Sequence, residues 1–200
     1  MNILIPLNSK YLINRYSMGV NVVNQIINIV LPNLINRLSS DSRVHEIHIM
    51  SDLDFYKTSS PGSKIKYLKH DTGLSTESSK IISEFIKISN YSKEILIIYN
   101  PLFPFISVDK LYFGYESVKN KSCKSSIGAY SNEEMLEDLY LASKYDHGIF
   151  SIIRPSDFLK AGSRLLQPIN VVNLDAINLV SLRSSNDYDL FELIVNSGMM

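Results

Sequence analysis

The stretch Lys93-Glu94-Ile95-Leu96-Ile97-Ile98-Tyr99-Asn100-Pro101-Leu102-Phe103-Pro104 decides the fold. Ile95 to Tyr99 is an unbroken apolar run with three isoleucines. A strand with one wet face alternates polar and apolar residues. A run without alternation suits the interior of a parallel sheet, covered by helices on both faces. At Asn100-Pro101 the run gives way to a pair that stops a strand and begins a turn. Open α/β sheets bind ligands beyond the carboxyl ends of their strands, so Asn100 marks the place where a site is expected. The competing reading is a central strand and its turn with no ligand.

Working outward, strand-like and helix-like segments alternate from end to end. Asn2 to Leu7 reads as a first strand. Gly19 to Leu38 places Val23, Ile26, Ile27, Val30, Leu34 and Leu38 at spacings of three and four, an amphipathic stripe. Pro32 interrupts that stripe and predicts a kink or two shorter helices. Glu46 to Met50 and Lys64 to Leu68 are short strands expected nearer a sheet edge than Ile95 to Tyr99. Ser75 or Thr76 is a cap for a helix carrying Ile81, Ile82, Phe85 and Ile86 on one face. Val108 to Val118 reads as a helix, Ser125 to Tyr130 as a strand, and acidic Ser131 to Asp146 as a helix or an excursion from the sheet. Gly148 to Ile153 is a strand, and Pro155 suits a first helical position, with Phe158 and Leu159 facing inward. Ile169 to Val172 and Ala176 to Leu179 read as late strands. Asp187 to Asn196 closes the chain as a helix capped by Asn186. This alternation predicts a single three-layer α/β/α domain over residues 1–200 with a mostly parallel sheet.

The totals exclude several function classes. Apolar residues make up 45% of the chain, which argues against long disorder. Lys plus Arg and Asp plus Glu balance at 20 each, so no global field draws in nucleic acid or an acidic membrane. The single cysteine, Cys123, has no internal disulfide partner, which points to a reducing compartment. No window approaches the roughly 18 apolar residues of a membrane span, and the opening segment lacks the basic flank of a signal peptide. A soluble, cytoplasmic protein is expected, without nucleic-acid or membrane partners.

Motifs with a fixed chemistry are missing. No glycine run precedes Lys-Ser or Lys-Thr, so a Walker-type loop is absent, and the glycines are too scattered for a dinucleotide fingerprint. His45 and His48, three apart on a strand, point to opposite faces and do not make a zinc pair. Asp146-His147 lacks a serine in a nucleophile-elbow context. Lys119, Lys121 and Lys124 read as the solvated end of a helix. Two strand ends remain. Asn8-Ser9-Lys10 follows the first strand, where backbone amides, the Ser9 hydroxyl and the Lys10 cation suit phosphate; a surface loop with one lysine is the equal alternative. Ser51-Asp52 ends the second strand, where Asp52 suits a ribose, a base or a metal, or equally caps a helix near Leu53.

Taken together, these segments resemble the acylneuraminate cytidylyltransferase family, which couples acidic sugars of the sialic acid or KDO type to CTP. Asn2-Ile-Leu-Ile-Pro6 with Ser9-Lys10 is similar to that family's Ile-Pro-Ala-Arg-x-Gly-Ser-Lys opening. Ile47-His-Ile-Met-Ser51-Asp52 resembles its Val-x-Val-Ser-Thr-Asp strand end, and His70-Asp-Thr-Gly-Leu74-Ser-Thr-Glu77 its Arg-Pro-x-x-Leu-Ala-x-Asp. Tyr99-Asn-Pro-Leu-Phe-Pro-Phe-Ile106 is similar to Leu-Gln-Pro-Thr-Ser-Pro-Leu-Arg. Gly148-Ile-Phe-Ser-Ile-Ile-Arg154 resembles a Gly-Ala-x-Tyr strand and its arginine, and Asn186-Asp187-Tyr-Asp-Leu190 the opening of the closing helix.

The resemblance implies a nucleotide-diphospho-sugar transferase (GT-A-like) fold and a cytidylyltransferase that releases pyrophosphate. It implies CTP and an acidic sugar as partners, and magnesium as cofactor. Lys10 and Arg15 are the implied catalytic cations. Asn8, Ser9, Asp52, His70, Glu77, Asn100 and Arg183 are the implied nucleotide- and substrate-binding residues. The chain departs from the family pattern where Asn8 replaces an arginine, His70 an arginine, Glu77 an aspartate and Asn100 a glutamine. The family's Ile-Asp-Ile-Asp falls on Val180-Ser181-Leu182-Arg183, so two magnesium carboxylates become a hydroxyl and a cation. Those replacements support a second reading, a non-catalytic relative that binds a nucleotide, a sugar or a protein partner.

Overall fold

The computed structural model describes residues 1–9, 12–13, 18–53, 63–69, 78–91, 93–129 and 148–198. Strands β1 (Asn2–Leu7), β2 (Glu46–Ser51), β3 (Ile65–Lys69), β4 (Leu96–Tyr99), β5 (Ser125–Ala129), β6 (Phe150–Ile153) and β7 (Ile169–Asn173) form one sheet. Its order is β3-β2-β1-β4-β6-β5-β7. Every pairing is parallel except those of β6, which runs antiparallel between β4 and β5. Helices α1 (Val20–Gln25), α2 (Leu31–Ser40), α3 (Ser78–Ile88), α4 (Val108–Lys119), α5 (Pro155–Ala161) and α6 (Ser185–Asn196) are the described α-helices.

Ile95 to Tyr99 is buried throughout, and the two cores show why it had to be apolar. On one face, Ile97 and Tyr99 join Ile3, Ile5, Ile47 and Ile49 under Val30, Leu34, Leu38, Leu111 and Phe191. On the other, Leu96 and Ile98 join Leu4 and Met50 under Ile82 and Phe85 of α3 and Phe158 of α5. The result is the expected three-layer α/β/α arrangement. β3 lies at one edge with β2 beside it, also as expected.

Three local readings need correction, and one holds. The Gly19 to Leu38 stripe is buried as predicted and is carried by two shorter α-helices, joined by a π-helix over Ile26–Val30, with α geometry resuming at Leu31 just before Pro32. The looser turn takes up the clash between a proline ring and the carbonyl four residues back. Ala176–Leu179 is a 3₁₀ turn, not a strand, because Asp175 and Asn178 form a reciprocal capping box at its start. The last helix is capped by Ser184, not Asn186, and Asp187 completes that box. Leu159 points outward at 48% exposure, because α5 buries Pro155 and Phe158, three apart on one side, and the next position falls off that side. The expected cap at Ser75 or Thr76 and the segment from Ser131 to Asp146 lie outside the described residues.

Two packing details bear on how neighbouring strands of the sheet meet. Pro6 sits inside β1, yet the β4 ladder engages only Ile3 and Leu4. A residue without an N–H is tolerated there because the β4 ladder has already ended. Gly128 of β5 lies against the ring of buried Phe150, and a Cβ at Gly128 would come within 2.4 Å of a ring carbon. A close approach of this kind admits only glycine.

Candidate functional site

The parallel strands β1, β2 and β4 deliver their carboxyl ends to one edge of the sheet. Leu7 is in register with Ser51, so the next residues along each chain segment, Asn8-Ser9 and Asp52, emerge side by side. The Ser9 backbone N–H donates to Asp52 Oδ1 at 2.9 Å, and the Ser9 hydroxyl donates to Asp52 Oδ2 at 2.6 Å. Both bonds have an ionised acceptor, which makes them short and strong relative to neutral pairs. Leu53 N–H donates to Ser51 Oγ at 3.1 Å, which holds the Asp52 turn from its other side. Asn8 is buried, and its carbonyl accepts from Leu12 N–H at 3.0 Å.

Asn100 stands at the same edge, beyond β4. Its side-chain oxygen accepts Leu102 N–H at 3.1 Å, and its side-chain nitrogen donates to Gly148 O at 3.4 Å. Its own N–H donates to Ile149 O at 3.1 Å. Asn100 therefore ties the turn after β4 to the chain entering β6.

The proline-containing loop after Asn100 is held by its carbonyls. Tyr99 OH donates to Phe103 O, Arg37 Nη2 to Pro104 O, and Asn178 Nδ2 to Phe105 O. Leu182 N–H donates to Leu102 O at 2.9 Å. That last bond brings the Val180 to Arg183 segment against the turn after Asn100. Burial raises the Tyr99 phenol to about 12, so it remains a donor.

Arg183 itself is exposed, and its N–H donates to Asp187 Oδ2 at 2.9 Å. Burial pushes the Asp187 carboxyl up, but the donors from Arg183 and Ser184 outweigh it and hold the group below its ordinary range. Ser181 and Arg183, the positions where the resemblance implies magnesium, offer a hydroxyl and a cation. Magnesium requires anionic oxygen ligands, and this donor set does not fit it. Among the described residues no group of three or more His, Cys, Asp or Glu side chains is placed to hold a metal.

Of the residues singled out in the sequence, Asn8, Ser9, Asp52 and Asn100 share the carboxyl edge, and Arg183 follows the segment bonded to it. Lys10, Arg15, His70 and Glu77 lie outside the described residues, as do Asp146 and His147. His48 is remote from any such role. It is buried between Phe85 and Tyr91, with Nε2 3.1 Å from Glu46 Oε2. Arg154 is at the opposite edge, because antiparallel β6 ends there. Its guanidinium donates to Val118 O and lies 3.4 Å from Glu94.

One cation at the candidate edge carried no sequence signal. Arg164 Nη1 stands 3.5 Å from the position a Cβ would take on Gly148, beside the Asn100 contact. Nothing in its Gly-Ser-Arg-Leu context marks it, since its position depends on how β6 inserts into the sheet.

No protein-family model matches the sequence, and no curated protein is similar to it by sequence. Solved structures are similar in fold. A 2-C-methyl-D-erythritol 4-phosphate cytidylyltransferase from Francisella tularensis superposes with a TM-score of 0.65 at 12% identity, over 96% of this chain and 98% of that one. The molybdopterin-guanine dinucleotide biosynthesis protein A of Archaeoglobus fulgidus gives 0.54 at 11% identity, over 98% and 100%. A protein of Desulfovibrio desulfuricans G20 given as a nucleotide-diphospho-sugar transferase gives 0.50 at 11%, over 87% and 81%. The likeness is one of fold, the nucleotide-diphospho-sugar transferase architecture.

Proposed function

We propose that this chain is a nucleotidyltransferase that binds CTP across the carboxyl ends of β1 and β2 and an anionic polyol beyond β4. In its narrower form the acceptor is an acidic sugar of the sialic acid or KDO type; in its broader form it is any sugar carrying a carboxylate or phosphate. The nucleophilic oxygen of the acceptor, a hydroxyl on an acidic sugar or a phosphate oxygen on a sugar phosphate, attacks the α-phosphorus. The P–O bond to the β-phosphate breaks and pyrophosphate leaves, with a proton released where the nucleophile is a hydroxyl. Such a step depends on positioning and on neutralising charge that develops on phosphate. Lys10 and Arg15 are assigned that neutralisation. Asn8, Ser9 and Asp52 are assigned to the nucleotide, together with His70 and Glu77. Asn100 positions the acceptor side of the edge, and Arg183 faces phosphate as a fixed cation.

The observation that carries this reading is the convergence of Asn8-Ser9, Asp52 and Asn100 at one carboxyl edge, with Ser9 and Asp52 in direct contact. Open α/β sheets place ligands at this location. Support also comes from the fold shared with a cytidylyltransferase whose acceptor is a sugar-alcohol phosphate. The test is pyrophosphate release from each of the four nucleoside triphosphates, with a panel of acidic sugars and sugar phosphates, with and without magnesium. Release that depends on CTP and on one acceptor class is expected. No release with any combination, accompanied by measurable nucleotide or sugar binding, replaces this reading with the non-catalytic one. That second reading is favoured by the cation at Arg183 and the hydroxyl at Ser181.

A further inference from the structure

We propose that Asp52 is an internal occupant of the phosphate corner at Ser9, so that an anion enters only by displacing a tethered carboxylate. The inference rests on the nucleotidyltransferase reading in placing phosphate near the first-strand loop. The corner offers two adjacent donors, one backbone N–H and one hydroxyl, and both are already closed on a single anion. Ser9 N–H meets Oδ1 at 2.9 Å and Ser9 Oγ meets Oδ2 at 2.6 Å. A phosphate binds such a donor pair in the same two-point manner as a carboxylate.

Asp52 is well placed to compete. It leaves a buried strand end, since Ser51 is only 6% exposed and pairs in register with Leu7. The Leu53 N–H bond to Ser51 Oγ holds the turn that carries it. A group tethered this way competes at a high effective concentration. If Asp52 stayed in place while a phosphate arrived, two like charges would share one pair of donors, which is unfavourable in a half-buried setting.

The consequence is selectivity. A bare polyphosphate must break two charge-assisted bonds and part Asp52 from its Ser9 donors. A polyphosphate that arrives with a divalent cation brings a positive partner for the released carboxylate. Asp52 thereby disfavours free anions such as inorganic phosphate or pyrophosphate, and tolerates a cation-complexed triphosphate.

The experiment titrates inorganic tripolyphosphate by calorimetry into the wild-type chain and into Asp52→Asn, first with chelator and then with excess magnesium. In chelator, Asp52→Asn is expected to bind at least tenfold more tightly than wild type, and excess magnesium is expected to narrow the gap. Adding Ser9→Ala to Asp52→Asn should abolish the gain, which locates it at the Ser9 donors. Equal or weaker binding by Asp52→Asn overturns the proposal and makes Asp52 a support for the loop.

A measurement on the wild-type chain needs no variant to fold: the ¹³C resonance of the Asp52 carboxyl should shift as tripolyphosphate saturates the protein. Saturation without that shift also overturns it. Tripolyphosphate carries neither base nor acceptor. Tighter binding by Asp52→Asn without CTP turnover therefore refutes only the transfer reading, and turnover without tighter binding refutes only the exclusion by Asp52.

Discussion

Substituting alanine for Gly128 tests whether the central sheet is as closely packed as its geometry states. A Cβ at this position meets three carbons of the Phe150 ring, at 2.4, 2.7 and 3.0 Å. Real Cβ atoms do not approach so closely, so the ring or the strand must move. Phe150 is among the largest fully buried side chains and is in register with Tyr99 of β4, which leaves the ring little room to retreat. Overpacking a close-packed core costs about 1–3 kcal/mol, and contact with three ring atoms places Gly128→Ala at the upper end, about 3 kcal/mol. Replacing Phe150 with leucine removes the obstructing ring edge at a cost of its own of about 1–2 kcal/mol for lost buried volume. The two changes should therefore couple, and the double variant should be at least about 1 kcal/mol more stable than the sum of the singles predicts. Urea unfolding of the four proteins, with slopes compared to confirm a common denatured state, measures this. A loss below about 0.5 kcal/mol for Gly128→Ala, or strict additivity in the cycle, would refute the packing argument.

Three further outcomes are expected. Burial holds the His48 imidazole below its ordinary value although Glu46 pulls it upward, so between that lowered value and about 6.5 the unfolded chain binds a proton that the folded chain does not. Stability is then full above about pH 7 and falls as the pH drops through 6.5; His48→Leu should flatten urea midpoints between pH 7.5 and 5.5, and an unchanged slope would exclude His48. The Glu46 carboxyl, lowered chiefly by the Lys66 bond, gives a separate loss only at pH values below its ordinary range. Asn100→Ala removes the acceptor for Leu102 N–H and should cost about 1–2 kcal/mol of stability, with loss of acceptor-dependent turnover exceeding loss of nucleotide affinity; unchanged kinetics for the acceptor would move Asn100 out of the site. Carboxylates introduced together at Ser181 and Arg183 should raise magnesium affinity at least tenfold, about 1.4 kcal/mol, by calorimetric titration, whereas equal affinities would show that the segment beside Leu102 does not face the ligand edge.

The sequence by itself determined the layered α/β architecture, because burial on both faces of a strand and on one stripe of a helix writes a local period into the chain. Ile95 to Tyr99 and the Val23-to-Leu38 stripe are legible for that reason. So is the position of Asn100 at a strand end, since Asn-Pro is a local stop signal. Features that join distant residues were decided only by the tertiary structure. The antiparallel insertion of β6 leaves no periodic trace, because a buried strand has the same composition whichever way it runs. That insertion moves Arg154 to the far edge and brings Arg164 beside Gly148. Ala176–Leu179 read as a strand from its apolar content, yet a side-chain capping box and the Asn178 bond to Phe105 O turn it into a 3₁₀ turn. The Ser9–Asp52 contact spans 43 residues. Each partner was visible as a polar residue after a strand, but sequence spacing carries no information on whether two strand ends lie in register. The parallel ladder between β1 and β2 supplies that register, and with it the closure of the Ser9 donors by a carboxylate.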